Sequence, residues 1–107
     1  MPCIEGTLDK NRVYELTSQI PKGRVSTYGL LAEEAGRPGA ARAVGRLMNA
    51  NPTPIVVPCH RVVYSDGRVG GYGGGVKTKI RLLSSEGVVV VDGRIANFKE
   101  VLFRDFK

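Results

Sequence analysis

The chain has 107 residues, 42% of them apolar and 24% charged, with a formal net charge of +6, which is ordinary for one compact globular domain with a modest core. No run approaches the ~20 apolar residues of a membrane span, no charged start leads into a long apolar leader, and two cysteines with a single histidine lack the paired spacing of a structural zinc site. The expectation is a cytoplasmic protein with Cys3 and Cys59 both reduced.

The positive charge is concentrated. Residues 22–81 carry ten basic and three acidic groups, whereas the segments on either side are close to neutral. A local basic field favours a polyanionic partner, above all nucleic acid.

Residues 1–8 read as an extended lead-in. Asp9 can cap a helix over 10–20, with Val13, Leu16 and Ile20 on one face and Pro21 and Gly23 ending it. Thr27 is placed to cap a second helix from Tyr28 to Ala35, and Gly36 stands at its stop position. After the turn Arg37-Pro38-Gly39, a third helix is expected over Ala40 to Asn49. Two short helices joined by a tight Gly/Pro turn form the helix-turn-helix pattern. On the third helix Val44, Leu47 and Met48 make the inward stripe. Arg42, Arg46 and Asn49 share the opposite face, and Ala40, Ala41, Ala43 and Gly45 are small enough to let another surface approach closely.

Asn51-Pro52-Thr53-Pro54 reads as a rigid bend leading to Ile55-Val56-Val57 and then Pro58-Cys59-His60-Arg61. Val62 to Val69 is expected to form a small hairpin about Ser65-Asp66-Gly67, followed by a glycine-rich loop over 70–75. A fourth helix is predicted over 76–85, with Val76, Ile80 and Leu83 inward and Gly87 as the stop. Val88 to Val91 and Arg94 to Ala96, joined by Asp92-Gly93, read as a second hairpin. Phe98, Leu102 and Phe106 tuck the tail against the body. The whole is expected to be a small α+β domain, winged-helix-like around the helix-turn-helix, with short β-hairpins.

Cys59 and the chain's only histidine, His60, are adjacent. A thiol becomes a strong nucleophile on ionising, and a nearby imidazole promotes this. Neighbours on an extended strand point to opposite faces, so direct contact between them needs a turn or a bridging water. A nucleophile close to a DNA-reading unit points to chemistry on DNA, and a buried structural thiol is the alternative.

The segments Arg42-Ala43-Val44-Gly45, Asn51-Pro52, Pro58-Cys59-His60-Arg61-Val62, Val69-Gly70-Gly71-Tyr72 and Leu82-Leu83-Ser84-Ser85-Glu86-Gly87 occur here in order. Together they resemble the O6-alkylguanine-DNA alkyltransferase family, catalytic domain, over residues 8 to 104. The resemblance implies a protein that binds duplex DNA through the minor groove, flips the damaged guanine and moves its O6-alkyl group to a cysteine. It acts once and uses no cofactor or metal.

The resemblance also implies roles for individual residues. Cys59 is the acceptor, His60 deprotonates it through a water, and Glu86 orients the histidine. Asn51 is a hinge between the helix-turn-helix and the active-site loop, and Tyr72 hydrogen-bonds the guanine. Arg42 enters the base stack, Tyr28 crowds the phosphate, and Thr27, Ala41, Ala43, Gly45 and Arg46 complete the DNA-binding set. The expected partner is double-stranded DNA containing O6-alkylguanine, bound by a monomer away from any membrane. Residues 1–107 are expected to form a single domain without the N-terminal companion of most relatives. Gly73 replaces a serine common in the family, and Tyr64 stands where some relatives have a small residue. A branch of alkyltransferase-like proteins lacks the acceptor cysteine and only recognises lesions. The rival readings are such a lesion-binding module, which Cys59 argues against, and a thiol enzyme for small molecules, which the basic helix-turn-helix argues against.

Overall fold

The computed structural model describes residues 9–50, 57–72 and 75–107, so the lead-in, the bend at 51–54 with Asn51, and Gly73 lie outside the described residues. Among these residues a small α+β fold carries five α-helices and two two-stranded sheets. None of its helices is long and apolar enough to cross a membrane.

Helix α1 spans Lys10–Ser18 and begins where Asp9 Oδ1 accepts the backbone N–H groups of Asn11 and Arg12 at 3.0 and 3.3 Å. This is the N-cap arrangement expected of an aspartate. The helix ends with Gln19 as its C-cap, two residues before the expected Ile20, which is nonetheless fully buried with Val13 and Leu16.

Strand β1, Ser26–Thr27, leads into helix α2, Tyr28–Glu34. Thr27 Oγ1 accepts the Leu30 N–H at 3.0 Å. At the other end Gly36 takes a φ of +83°, while Gly36 N–H donates to Glu33 O and Arg37 N–H to Ala32 O. This pair of bonds is the Schellman closure, which favours glycine because its left-handed backbone meets no Cβ penalty. Helix α3, Ala41–Asn49, follows. Leu31 and Ala32 of α2 and Val44 and Met48 of α3 share one apolar cluster with Val13, Leu16, Cys59 and Val62. The Tyr14 hydroxyl also donates to Leu47 O at 2.8 Å and fastens α1 to α3.

A one-turn 3₁₀ helix at Cys59–Arg61 runs into strand β2, Val62–Val63. Here the hairpin expectation is corrected. The chain does fold back, with bonds from Tyr64 N–H to Arg68 O and from Gly67 N–H to Tyr64 O, both 2.9 Å. Yet Val62 and Val63 pair in parallel with Ser26 and Thr27, and Arg68 bridges to Arg94 instead. Two successive valines, both fully buried, require apolar cover on both faces, which an interior parallel pairing provides and a surface hairpin does not.

Helix α4 occupies Val76–Ser85, the expected span but with a different buried face. Val76 is 48% exposed, whereas Lys79 is fully buried beside Leu83. Strands β3, Val90–Val91, and β4, Arg94–Ile95, form the expected antiparallel hairpin. Its turn places Asp92 and Gly93 at φ +52° and +78°, as a type I′ turn requires. A short helix α5, Phe98–Val101, was not foreseen. The tail then lies beside Val25 through bonds from Val25 N–H to Val101 O and from Phe103 N–H to Val25 O.

Candidate functional site

The 3₁₀ turn resolves the geometric difficulty of two reactive neighbours. It buries Cys59 (4% exposed) and His60 (0%) together, which an extended strand would not do. Pro58, also buried, accepts the Arg61 N–H at 2.9 Å and closes the turn.

His60 Nε2 lies 2.9 Å from Glu86 Oε2. A carboxylate can only accept, so the neutral imidazole carries its proton on Nε2 and leaves Nδ1 as an acceptor. Nδ1 is buried and has no hydrogen-bond partner among the described residues. A buried acceptor without a partner is costly in a purely structural histidine. Here it supplies a basic nitrogen free to take a proton.

Glu86 stands at the C-cap of α4 and is gripped from a second side. Arg61 Nε donates to Glu86 Oε1 at 2.9 Å and an Arg61 terminal nitrogen to Oε2 at 2.7 Å, a bidentate fork. The other terminal nitrogen donates to Ile20 O at 2.8 Å, beyond the end of α1. Burial alone would raise the Glu86 carboxyl, but the Arg61 and His60 bonds and charges outweigh it and hold the group below its usual range. Glu86 therefore remains a carboxylate facing the imidazole.

Lys79 is the largest fully buried side chain. Its ammonium donates to Val69 O at 2.6 Å, Val62 O at 2.7 Å, Gly71 O at 3.1 Å and the Tyr28 hydroxyl at 3.3 Å. One cation thus ties α4 to β2, to the glycine loop and to the first residue of α2. Burial lowers its pKa to about 8, and the electrostatic influence of Cys59 acts in the opposite direction. Tyr28 is pushed up to about 12 by burial, with the charges of Tyr64 and Cys59 adding, so it keeps its phenolic proton. Tyr72, half-buried against the first cluster, is raised by burial and then by Cys59.

Beside this centre opens a cleft of about 370 Å³. Arg42, Gly45, Arg46 and Asn49 of α3 form one side, joined by Ala41 and by Tyr28 of α2, and Tyr64, Ser65 and Gly71 lie on the walls as well. Arg42, Arg46 and Asn49 are all exposed, and their shared face is the one that their spacing on a helix predicts. Cys59 is not one of the lining residues. Tyr28 connects the two places, since it lines the cleft and responds to the Cys59 charge.

The remaining expected residues fall in less active positions. Ala43 is half-buried and not a wall of the cleft. Thr27 is 3% exposed, with its hydroxyl capping α2, so the structure gives it a local task. Sequence reasoning missed the two cations that organise the centre. Arg61 belongs to the same short motif as Cys59, but nothing in its position announces a pairing with Glu86. Lys79 gave no signal, because a lysine in a helix counts as a surface residue by default.

Comparison with known proteins agrees with this arrangement. Residues 9–88 match the family described as 6-O-methylguanine DNA methyltransferase, DNA binding domain. A methylated-DNA–protein-cysteine methyltransferase of Shigella flexneri is 50% identical over 86 residues, which cover 80% of this chain and 50% of that protein. A bifunctional methyltransferase/endonuclease of Thermoplasma volcanium is 47% identical over 89% of this chain and 30% of that protein. The chain therefore spans half or less of the length of these curated relatives.

Among solved structures, Mycobacterium tuberculosis OGT in complex with DNA superposes with a TM-score of 0.71 at 46% identity, over 77% of this chain and 51% of that one. S. pombe Atl1, in complex with damaged DNA containing O6-carboxymethylguanine, superposes with a TM-score of 0.79 at 32% identity. That match covers 96% of this chain and 98% of Atl1. With a family match over most of its length and a buried Cys-His-Glu centre beside a cationic cleft, the chain belongs to the 6-O-methylguanine DNA methyltransferase DNA-binding domain family.

Proposed function

We propose that this chain is a catalytic domain that repairs O6-alkylguanine in duplex DNA by moving the alkyl group to Cys59, once per molecule. The observation that carries the reading is the His60–Glu86 clasp at 2.9 Å, with His60 Nδ1 left as a free acceptor and the adjacent residue, Cys59, also buried. The Cys59 proton passes through a bridging water to His60 Nδ1, and the Glu86 carboxylate stabilises the resulting imidazolium. The thiolate then attacks the alkyl carbon, a C–S bond forms, and the C–O6 bond breaks with its electron pair staying on guanine. Tyr72, kept protonated by burial, donates to the guanine as negative charge develops. No cofactor is required, since acceptor, base and orienting group all come from the chain.

Arg42 and Arg46 on the cleft serve the DNA side. Arg42 fills the space left by the extruded base, while Tyr28, which also lines the cleft, crowds the DNA backbone. Extrusion costs a few kcal/mol and needs such contacts. The protein works as a monomer.

A second reading is a lesion-binding module that flips the base without efficient transfer. The near-complete match to the Atl1 chain favours it, while the presence of Cys59 favours transfer. Mass spectrometry after incubation with a duplex containing O6-methylguanine separates them. Transfer gives a methyl group on the Cys59 peptide and none on the Cys3 peptide. Tight binding with no mass gain would overturn the catalytic reading and leave the binding one.

A further inference from the structure

We infer that Tyr64 is a specificity-determining wall of the cleft it shares with the arginines of α3, contacting the extruded nucleotide; this rests on the DNA-repair reading above. Tyr64 is 43% exposed, an unusual position for a large aromatic ring in so small a domain. It is not on a convex surface, because it lines the same cleft as Arg42, Arg46 and Asn49. An exposed aromatic that shares a concave groove with cations is the combination that holds unstacked nucleotides: the ring takes the base or sugar, and the cations take the phosphates.

The ring is also held ready. Its centroid lies 5.4 Å from that of Tyr28, at an interplanar angle of 59°. The Arg68 guanidinium sits 4.8 Å from the ring centroid, within cation–π range. Arg68 is fixed in turn by Asp66, whose Oδ2 accepts from Arg68 Nε at 2.8 Å while Oδ1 accepts the Arg68 N–H at 3.1 Å. Below the ring, Gly70 leaves the space it needs, since a Cβ there would come within 3.0 Å of Tyr64 Cε2. A side chain restrained on three sides loses little freedom when a ligand arrives, and this preorganisation favours binding. Stability alone does not account for the arrangement, because Tyr64 belongs to neither buried cluster.

The test compares wild type, Tyr64→Ala and Tyr64→Phe on two probes: a duplex containing O6-methylguanine and the same duplex undamaged. The expected result for Tyr64→Ala is about a tenfold loss of affinity for the lesion duplex, in line with the removal of one aromatic contact to a base. Its affinity for undamaged duplex, in which no nucleotide is extruded, should fall by much less than its affinity for the lesion duplex. Tyr64→Phe, which keeps the ring, should restore lesion binding. Wild-type behaviour of Tyr64→Ala on the lesion duplex overturns the proposal. So does an equal loss on both duplexes, or a loss accompanied by a lowered melting temperature that Tyr64→Phe does not rescue. A wild-type protein that shows neither transfer nor preference for the lesion overturns the underlying repair reading instead, and this one with it.

Discussion

Replacing Lys79 by methionine isolates the contribution of the buried ammonium. Methionine keeps much of the stem and removes every donor. The carbonyls of Val62, Val69 and Gly71, now bonded at 2.7, 2.6 and 3.1 Å, would then face an apolar group. Each stranded carbonyl costs about 1–3 kcal/mol. Against this, the variant no longer buries a charge. The fall of the Lys79 pKa from 10.5 to about 8 corresponds to about 3 kcal/mol of preference for the neutral form. The balance is a net loss of about 3 kcal/mol, or a drop of roughly 10–20 °C in melting temperature for a domain of this size. The pH dependence gives a sharper check. Between pH 8 and 10.5 the unfolded chain holds a lysine proton that the native state has released. The wild type therefore gains stability from this group as pH rises through that window, and the variant does not. Thermal unfolding of both proteins at neutral pH and at pH 9.5 should show the gap widening in favour of wild type. A gap that is absent at neutral pH would refute the assignment of Lys79 as the donor satisfying these carbonyls, and a gap that narrows on raising the pH would refute its lowered pKa.

Four further outcomes follow from the same geometry. Arg42→Ala should impair repair of lesion duplex more than reaction with free base, and wild-type affinity for DNA should fall steeply with salt as counterions are released; equal losses on both substrates would remove Arg42 from the base-extrusion step. His60→Ala/Glu86→Ala should react little more slowly than His60→Ala, because groups acting as a unit are non-additive, and losses that multiply in full would show two independent groups. The Glu86 ion pairs should stabilise the fold fully above its ordinary carboxyl pKa of 4.5 and be lost as pH falls through the lowered native value, an acid transition that Glu86→Gln should lack in thermal melts. Gly70→Ala should cost about 1–2 kcal/mol in denaturant unfolding, since φ is +78° there and L side chains resist the left-handed region; an unchanged midpoint would mean that the loop relaxes freely.

The helices were legible because their ends are written in local chemistry. Asp9, Thr27 and Gly36 each act within a few residues of their own position, and Arg42, Arg46 and Asn49 fall on one exposed face by helical spacing alone. The pairing of Ser26–Thr27 with Val62–Val63 was not legible. A two-residue strand has no periodicity to read, and its partner is remote in sequence. The grip of Arg61 on Glu86 was hidden for the same reason, because charges pair through space. Val76 and Lys79 exchanged their expected places because hydrophobic counting ranks lysine as surface. Here its charged head meets four oxygen acceptors in the interior.

The order of the centre along the chain has a consequence for biosynthesis. Cys59 is added to the growing chain before Lys79 and Glu86, and β2, which follows the thiol, must find β1, which precedes it. At ordinary elongation rates this interval is on the order of seconds. Throughout it His60 lacks its carboxylate, and the carbonyls of Val62 and Val69 lack their shared donor. The nascent thiol is then an ordinary cysteine, without the assembled base that would activate it. On the repair reading proposed above, the base that serves the thiol is assembled only by the closing steps of folding.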